Sequence, residues 1–430
     1  MATPPASIKK VSVIGLGKLG APMAAALASR GYPTIGVDVN PASVEAVDAH
    51  RAPVGETGLQ KMIDENAERL SATMDIAEAV HGSDASFIIV PTPSGPDGAF
   101  TSKFVVDACT KIGHALKDKK DFHLVVVIST VMPGSSEKEI IPALEEASGK
   151  KAGQDFGYCY SPTLVALGAV IKGFLNPELV MIGASDAQSA DTLEVFYKTV
   201  FLSSPVFHHV RPSEAELAKI GINTFITTKI SFANMLGMIS EAMNINPDNV
   251  TKILGSDSRI GPKVLKAGGS YGGPCFPRDN RAFTRAAELV NVNTYIPRAT
   301  DETNQRYIAR LAERVEEALK GIPNAKVNIV GVAYKPDTDV VEEGMGLILA
   351  NQLITRGVPV VVYDPVAGNS AKKVLGDSVQ YADSLEAGLA ASHVVVITNP
   401  YRELFANIDR NLLAGKYVID CWNILPNANG

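Results

Sequence analysis

A glycine-rich turn near the N-terminus restricts the fold of this chain more than any other feature of its sequence. Gly15, Gly17 and Gly20 follow the apolar run Val11–Ile14, and an alanine-rich helical stretch follows them. In this setting GxGxxG is typical of a dinucleotide-binding fold, because the glycines let the backbone approach a pyrophosphate and the helix N-terminus supplies unpaired N–H groups. A glycine turn of some other α/β protein is the alternative, which the strand-to-helix context disfavours. We therefore expect cofactor contacts from Gly15, Gly17, Lys18, Leu19 and Gly20.

An acidic residue ends the second predicted strand. The apolar segment at residues 34–37 is followed by Asp38, 18 residues after Gly20. A carboxylate at this point accepts hydrogen bonds from the adenosine ribose and repels a 2′-phosphate. The sequence therefore predicts NAD rather than NADP as the cofactor.

Strand-like and helical patterns alternate at both ends of the chain. Apolar runs recur at residues 87–90 and 124–128, and a second series begins near residue 326 with runs at 327–331, 360–364, 394–397 and 417–420. Such alternation indicates parallel sheets covered by helices on both faces. We predict an α/β fold with two Rossmann-like, doubly wound parallel-sheet domains.

A long helical segment separates these two patterns. It begins near Ser213, which forms a predicted capping box with Glu216, and continues to about Met243. This is longer than a small domain needs, so the helix is expected to connect domains or to pack against a second subunit. The resulting division is an NAD-binding domain at residues 1–212, a central helical dimerisation domain at 213–310 and a substrate-binding domain at 311–430.

Composition excludes several classes of protein. The chain is 46% hydrophobic and 20% charged with a net charge of −6, and it has no basic stripe that would suggest nucleic acid. We expect neither a signal peptide nor a membrane span, since the N-terminal residues are not apolar and no run reaches about 20 apolar residues. The four cysteines are scattered without a CxxC pair, so no disulfide framework and no metal site is predicted. A cytoplasmic protein is the simplest interpretation.

The segment Gly268-Gly-Ser-Tyr-Gly-Gly-Pro-Cys275-Phe-Pro-Arg-Asp279 carries a candidate nucleophile. Glycines let a backbone close around a ligand, and a thiol at the rim of such a loop can attack a bound carbonyl. A buried structural cysteine is the alternative. The density of glycine and proline around Cys275, together with the dinucleotide motif, favours the nucleophile.

Lys219 and Asn223 are four residues apart in the long helical segment and therefore lie on one face. An exposed lysine and an interior asparagine would be the alternative interpretation. Together with the glycine turn, the Cys275 loop, Asp-Ser-Arg-Ile-Gly at 257–261 and Gly-Val-Ala-Tyr-Lys-Pro-Asp-Thr-Asp at 331–339, this pair makes the chain resemble the UDP-glucose/GDP-mannose dehydrogenase family. The resemblance extends over essentially the whole chain, and the loop is closest to that of the UDP-glucose 6-dehydrogenase branch.

The resemblance implies a homodimer formed through the central helix. It also implies a four-electron oxidation of the C6 alcohol of a UDP-hexose to a uronate with two NAD. Cys275 would capture the aldehyde as a thiohemiacetal, and hydride transfer would leave a thioester for hydrolysis. Lys219 and Asn223 would stabilise the oxyanion, Asp279 would tune Cys275 or assist proton transfer, and Thr130 would position the water that removes the alcohol proton.

The resemblance further implies binding roles. Pro91, Thr92, Thr130 and Arg278 would contact NAD, while Arg259 would reach the substrate from the partner subunit. The residues expected at the substrate are Thr163, Leu164, Lys219, Asn223, Arg259, Tyr271, Gly272, Gly273 and Lys335.

Four positions depart from the pattern of the family. Thr163 and Leu167 replace two expected glutamates, Val340 replaces an acid, and Glu342 replaces an arginine that would face the cofactor. Neither threonine nor leucine acts as a base near neutral pH, and loss of a general base costs about 10²–10⁴-fold in rate. A water held by the Thr163 hydroxyl would keep thioester hydrolysis at a reduced rate.

Three alternatives stay open. The first is a diverged relative that stops after one oxidation or acts on another nucleotide-linked alcohol. The second is a two-domain β-hydroxyacid dehydrogenase, which the residues at 15–24 also resemble, although the C-terminal α/β pattern and the Cys275 loop argue against it. The third is a non-catalytic nucleotide-sugar sensor, which has no need for the thiol.

Overall fold

The computed structural model describes residues 6–425, and the segments 1–5 and 426–430 lie outside the described part. Most of the N-terminal segment on which the expectation of no signal peptide depends is therefore outside it. The chain divides into two compact units, residues 1–221 and 222–430. The proposed domain boundaries at 212 and 310 stay predictions.

The first unit is an α/β layer structure around one large sheet. Its strands are β1 Val11–Ile14, β2 Thr34–Val37, β3 Leu70–Thr73, β4 Ala85–Ile88, β5 Leu124–Val127, β6 Gly157–Tyr160, β7 Leu179–Ala184 and β8 Val206–Val210. Its helices are α1 Gly20–Ser29, α2 Pro41–Asp48, α3 Leu59–Glu65, α4 Ile76–His81, α5 Lys103–Asp118, α6 Ile141–Ser148, α7 Val170–Leu175 and α8 Ala187–Val200.

The strand order of this sheet is β3-β2-β1-β4-β5-β6-β7-β8. Strands β1 to β6 are parallel, as predicted, whereas β7 runs antiparallel to β6 and parallel to β8. The central strands are buried on both faces because helices cover both sides, and all four residues of β1 are buried. The order reverses between β1 and β4, which is where open α/β sheets bind ligands.

A single helix, α9, spans Pro212–Ala242 and confirms the predicted long central helix. The predicted capping box between Ser213 and Glu216 is wrong, because the helix begins one residue earlier than expected. Glu214 instead accepts the backbone N–H of Arg211 at 2.9 Å. Glu216 is buried, and its carboxylate accepts hydrogen bonds from residues 134 and 136.

The second unit contains the remaining helices and a smaller sheet. The helices are α10 Pro247–Ser256, α11 Phe276–Glu288, α12 Tyr295–Leu319, α13 Met345–Thr355, α14 Gly368–Leu375, α15 Leu385–Ala390 and α16 Arg402–Ala406. The strands are β9 Val327–Val330, β10 Val360–Tyr363, β11 Gln380–Tyr381, β12 Val394–Ile397 and β13 Tyr417–Asp420.

The second sheet has the order β11-β10-β9-β12-β13, and all its pairs are parallel. The strand order again reverses at the first strand of the series, so the prediction of two Rossmann-like sheets joined by a long helix is confirmed. Within residues 6–425, no helix combines the length and the apolar character needed to cross a bilayer.

Candidate active site

The carboxyl ends of neighbouring strands in the first unit carry most of its predicted cofactor residues. Asp38 follows β2, the glycine turn follows β1, and Thr130 follows β5. Pro91 and Thr92 follow β4. Ser129, which follows β5, joins the ends of these two strands. Its hydroxyl donates to the carbonyl of Val90 at 2.7 Å and accepts from the N–H of the same residue at 2.9 Å. The structure thus brings these residues to one edge of the sheet.

The glycine turn has the shape that a pyrophosphate requires. Gly15 has a φ of 103°, and a Cβ there would lie 2.2 Å from the carbonyl oxygen of Ile89, so no larger residue fits. Gly17, by contrast, has no heavy atom within 4 Å of its Cβ position. Leu19, the N-cap of α1, gives no side-chain cap to the helix. The open backbone at a helix N-terminus fits the phosphates of a dinucleotide.

Asp38 is oriented toward this turn by two backbone groups. One carboxylate oxygen accepts the N–H of Leu16 at 2.6 Å, and the other accepts the N–H of Asn40 at 2.8 Å. Each oxygen keeps a further lone pair for a ribose hydroxyl. The geometry therefore fits the adenosine end of NAD.

Asp364 has the position in the second sheet that Asp38 has in the first, but its hydrogen bonds are different. Asp364 follows β10, is buried, and accepts from four backbone N–H groups and from the hydroxyl of Tyr401. Five donors occupy this carboxylate and stabilise the turns around it. It has no capacity left for a ribose, so the second sheet does not repeat the dinucleotide site of the first.

A buried carboxylate anchors the turn that contains Thr130. Glu216 on α9 accepts the N–H of Gly134 at 2.5 Å, the N–H of Ser136 at 2.8 Å and the hydroxyl of Ser136 at 2.5 Å. Burial raises the pKa of Glu216, against the opposite effect of these donors. The three bonds fix residues 134–136 to the helix one turn before Lys219.

The predicted substrate residues of the first unit lie in the irregular segment after β6. Thr163 is partly buried there and Leu164 is exposed. Glu56, from the loop between α2 and α3, accepts the N–H groups of Gly168 and Val170 at 2.9 and 2.8 Å. The carboxylate that fixes the end of this segment therefore comes from a distant part of the chain.

Cys275 is the N-cap residue of α11, and its carbonyl accepts the N–H of Asp279 at 2.8 Å. Its side chain is exposed, and a helix N-terminus favours the negative charge of a thiolate. None of the four cysteines, all within the described residues, forms a disulfide. Burial raises the pKa of Cys109 and Cys159, and it raises that of Cys421 to about 12. Cys275 is therefore the thiol best placed to react.

Two other predicted catalytic residues are hydrogen-bonded to each other, and one of them lies in the first turn of the helix that Cys275 caps. The amide nitrogen of Asn223 donates to the carboxylate of Asp279 at 2.5 Å, and both side chains are buried. Lys219 lies one turn earlier on α9 and is also buried. Asn223 and Asp279, predicted separately, are thus direct partners.

The glycines before Cys275 pack against the segment between β9 and α13. A Cβ at Gly272 would lie 2.0 Å from the carbonyl oxygen of Glu343, so only glycine fits there. The N–H of Gly273 donates to the carbonyl of Glu342 at 3.0 Å, and the N–H of Tyr334 donates to that of Val340 at 3.0 Å. Val340 and Glu342 depart from the family pattern, yet these contacts use their backbone and do not depend on their side chains.

Tyr334 is a site residue that the sequence reasoning missed, although it is adjacent to Lys335 in a recognised motif. A Cβ at Gly273 would lie 2.5 Å from its ring. Burial, with a smaller contribution from Cys275, raises the pKa of Tyr334 to about 12, so the side chain stays neutral near the thiol. The Lys335 ammonium lies 5.9 Å from the centre of the same ring. An aromatic face and a cation therefore accompany Cys275.

Two predicted arginines are placed on helix or loop ends of the second unit. Arg278 is in the first turn of α11 and is partly buried. Arg259 has a side chain that is 87% exposed, and its guanidinium binds Asp257 through two contacts of 3.0 and 2.7 Å. Among the described residues, no group of three or more His, Cys, Asp or Glu side chains could hold a metal ion.

A sheet edge that fits a dinucleotide in the first unit and an exposed thiol at a helix N-terminus in the second indicate an NAD-dependent oxidoreductase. Three family models match the chain in order. They are the NAD binding domain of the UDP-glucose/GDP-mannose dehydrogenase family at residues 9–201, its central domain at 213–306 and its UDP binding domain at 328–427. The chain belongs to this family of nucleotide-sugar dehydrogenases, which confirms the resemblance and the NAD prediction.

Individual relatives agree with this assignment. The chain is 32% identical to a UDP-glucose 6-dehydrogenase of Haloferax volcanii, over 98% of both proteins. It is 30% identical to a GDP-mannose 6-dehydrogenase of Pseudomonas aeruginosa, over 97% of both. A solved UDP-glucose dehydrogenase from Pyrobaculum islandicum is 34% identical with a TM-score of 0.90, covering 99% of this chain and 96% of that one. A two-domain β-hydroxyacid dehydrogenase does not account for matches over the full chain.

Proposed function

We propose that the protein oxidises the C6 alcohol of a UDP-hexose, with UDP-glucose as the first candidate, to a uronate. The observation that carries this proposal is the exposed thiol of Cys275 at the start of α11, where Asp279 in the first turn of the same helix accepts from Asn223. A thiol is required only when an aldehyde must be captured and oxidised further. A simple alcohol dehydrogenase or a binding protein has no use for it.

Each residue has a defined part in this reaction. Thr130 positions the water that takes the alcohol proton while the first hydride leaves C6. The Cys275 thiolate then adds to the aldehyde carbon, and Lys219 and Asn223 stabilise the negative oxygen. Loss of the second hydride gives a thioester, and water releases the uronate and restores the thiol, with Asp279 assisting proton transfer. NAD bound at the first sheet supplies the hydride acceptor for each of the two oxidations.

Binding follows from the placement of the remaining residues. The glycine turn, Asp38, Thr92 and Arg278 hold NAD. Lys335 and the partner subunit's Arg259 bind the nucleotide sugar, and the loop glycines close around it. Thr163 and Leu164 contact the sugar side. The exposed, carboxylate-oriented guanidinium of Arg259 supports a role outside its own subunit.

Dimerisation through α9 is part of the proposal. Four large apolar residues of this helix are 36–66% exposed and are spaced by seven, three and four positions: Phe225, Phe232, Met235 and Ile239. Such spacing places them in one stripe along the helix, which would be costly to leave in water. We propose that a second copy of the chain covers this stripe, in a cytoplasmic homodimer.

A second candidate function is favoured by the segment after β6. Thr163 and Leu167 provide no carboxylate for thioester hydrolysis, so an enzyme that stops after one oxidation, or that acts on another nucleotide-linked alcohol, fits the same site. GDP-mannose is the first such alternative to test, because a GDP-mannose 6-dehydrogenase is 30% identical to the chain.

The test is the number of NADH formed per UDP-glucose consumed, with the sugar product identified by mass spectrometry. Two NADH per sugar and a uronate are expected. One NADH per sugar, or an adduct that accumulates on Cys275, would instead support the single-oxidation candidate. No NAD reduction with any UDP-hexose would overturn the proposal and direct the search to GDP-linked sugars.

A further inference from the structure

The glycine-rich path to Cys275, residues 268–275, is named the thiol loop. Its first two residues are held by a side-chain amide of α9. The oxygen of Asn234 accepts the N–H of Gly268, and its nitrogen donates to the carbonyl of Gly269, both at 3.0 Å. The amide thus binds the loop backbone as a neighbouring β-strand would.

A second amide acts in the same way two residues further along the thiol loop. The oxygen of Asn304 on α12 accepts the N–H of Tyr271 at 2.9 Å, and its nitrogen donates to the carbonyl of Tyr271 at 2.9 Å. The Tyr271 hydroxyl also donates to Asp301, on the same helix as Asn304. One residue of the loop is therefore bound at its backbone and at its side chain.

Only a carboxamide satisfies these two backbone positions. It presents one donor and one acceptor in a rigid plane, whereas a carboxylate accepts only and alanine leaves a buried N–H and C=O unpaired. Asn234 is 0% exposed and Asn304 is 8% exposed, so water does not replace the missing bonds. Each unpaired buried group costs about 1–3 kcal/mol.

The opposite sides of the thiol loop are closed by packing. Cβ atoms at Gly268 and Gly269 would lie 2.6 and 2.5 Å from the ring of Trp422, and the backbone of Glu343 closes the side of Gly272. The loop therefore has one path between its amide clamps and these walls. Cys275 is the last residue of the loop, so the conformation of the loop backbone determines the position of the Cys275 sulfur.

We propose that Asn234 and Asn304 are positioning residues that set the location, and hence the reactivity, of the Cys275 thiol. Neither contacts the reacting atoms. They act through the loop backbone, which places Cys275 at the N-terminus of α11. This inference rests on the proposed role of Cys275 as the nucleophile.

The inference is tested by two measurements on the variants Asn304→Ala and Asn234→Ala. The first is the rate at which iodoacetamide modifies Cys275, followed by peptide mass spectrometry. The second is the steady-state kinetics with UDP-glucose and NAD. We expect alkylation to slow at least about threefold, because the thiolate is favoured where the helix N-terminus faces it. We expect kcat to fall about 10–100-fold with KM changed less than about threefold, since small misplacements of a reacting group are costly.

Thr303→Ala is the matched control. Thr303 is the neighbour of Asn304 on α12 and is partly buried, and its hydroxyl donates to the carbonyl of Ala299 in its own helix at 2.7 Å. It should match the wild type in both readouts. Asn304→Asp keeps the oxygen that accepts the Tyr271 N–H and removes the donor to the Tyr271 carbonyl, so it remains informative if the alanine variants fail to fold. It should also slow alkylation and lower kcat relative to the wild type.

The outcomes separate this inference from the proposed function. A folded asparagine variant with wild-type alkylation rate and wild-type kcat overturns it, as does a rise in KM alone. If the wild type oxidises no nucleotide sugar, the proposed function fails, but alkylation still tests the clamps because it needs no substrate. Slower alkylation in both asparagine variants and not in Thr303→Ala would support the inference.

Discussion

The amide of Asn223 donates to the carboxylate of Asp279 at 2.5 Å and joins α9 to the first turn of α11, the helix that Cys275 caps. This bond fixes the orientation of the amide and leaves its second N–H for a developing oxyanion. It also keeps a charged acceptor close to the thiol. The two residues should therefore act as one unit.

Asn223→Ala is expected to lower kcat about 10²–10³-fold, because the proposed oxyanion donor is lost. Asp279→Asn should also lower kcat, since the amide cannot take up a proton. In the double variant the losses should fall short of additive by about 0.5–3 kcal/mol, measured from kcat/KM in a double-mutant cycle. Additive losses would show that the hydrogen bond does not couple their functions.

Cys275→Ser is expected to reduce uronate formation by at least about three orders of magnitude, because a serine hydroxyl is far less nucleophilic than a thiolate. The acid is quantified by mass spectrometry after incubation with UDP-glucose and NAD. Cys421→Ser is the control for loss of a thiol elsewhere in the same unit. Uronate formed near the wild-type rate by Cys275→Ser would contradict the covalent route.

Asp38→Ala is expected to raise the NADP-to-NAD ratio of kcat/KM at least about 10-fold, equivalent to about 1.4 kcal/mol. The substitution removes the carboxylate that we propose binds the ribose and repels a 2′-phosphate. Glu45→Ala, an exposed acid on α2, is the control for the same change in net charge. An unchanged preference would show that discrimination between the cofactors lies elsewhere.

Glu216→Gln is expected to destabilise the protein by about 1–3 kcal/mol, because the amide NH₂ would face a backbone N–H that now has an acceptor. The pKa of Glu216 is raised by burial from its ordinary value of 4.5. The folded protein therefore holds this proton more tightly than the unfolded chain, and the contribution of Glu216 declines as pH rises from about 4.5 through the raised pKa.

The measurement is Tm of wild type and Glu216→Gln at a series of pH values from 4.5 to 8. The stability advantage of the wild type should be largest at the acidic end and should shrink with rising pH. The exposed Glu146→Gln on α6 serves as the control and should show no such trend. A difference that grows with pH would contradict the sign of this pKa shift.

Phe225→Asp combined with Phe232→Asp is expected to disrupt the proposed homodimer and leave a monomer, because two charges would enter the apolar stripe of α9. Sedimentation velocity measures the change. Val195→Asp on α8, at a side chain that is 48% exposed, is the control for adding a charge to another apolar surface position. A dimer that survives the double substitution would place the interface elsewhere.

Local patterns in the sequence were enough to predict several parts of this protein. Both α/β series, the glycine turn, the acid after β2, the 31-residue helix and the loop before Cys275 are all present where the sequence places them. Each depends on hydrophobic periodicity or on a backbone conformation within about 30 residues. The sequence analysis did not identify β3, β6, β7, β8 or β11. Of these, β3, β8 and β11 contain polar residues and lack the continuous apolar run that indicates a buried strand.

Contacts between distant segments were beyond these patterns. Glu216 binds residues 80 and 82 positions away, and Glu56 binds residues 112 and 114 positions away. Asn234, Asn304 and Trp422 surround one loop from three separate elements. A single acid or asparagine in a helix or loop looks the same in sequence whether it faces water or clamps a buried backbone. The tertiary fold decides which partner such a side chain has. A buried polar group needs a hydrogen bond, and the packing of distant segments determines which donor or acceptor lies within reach.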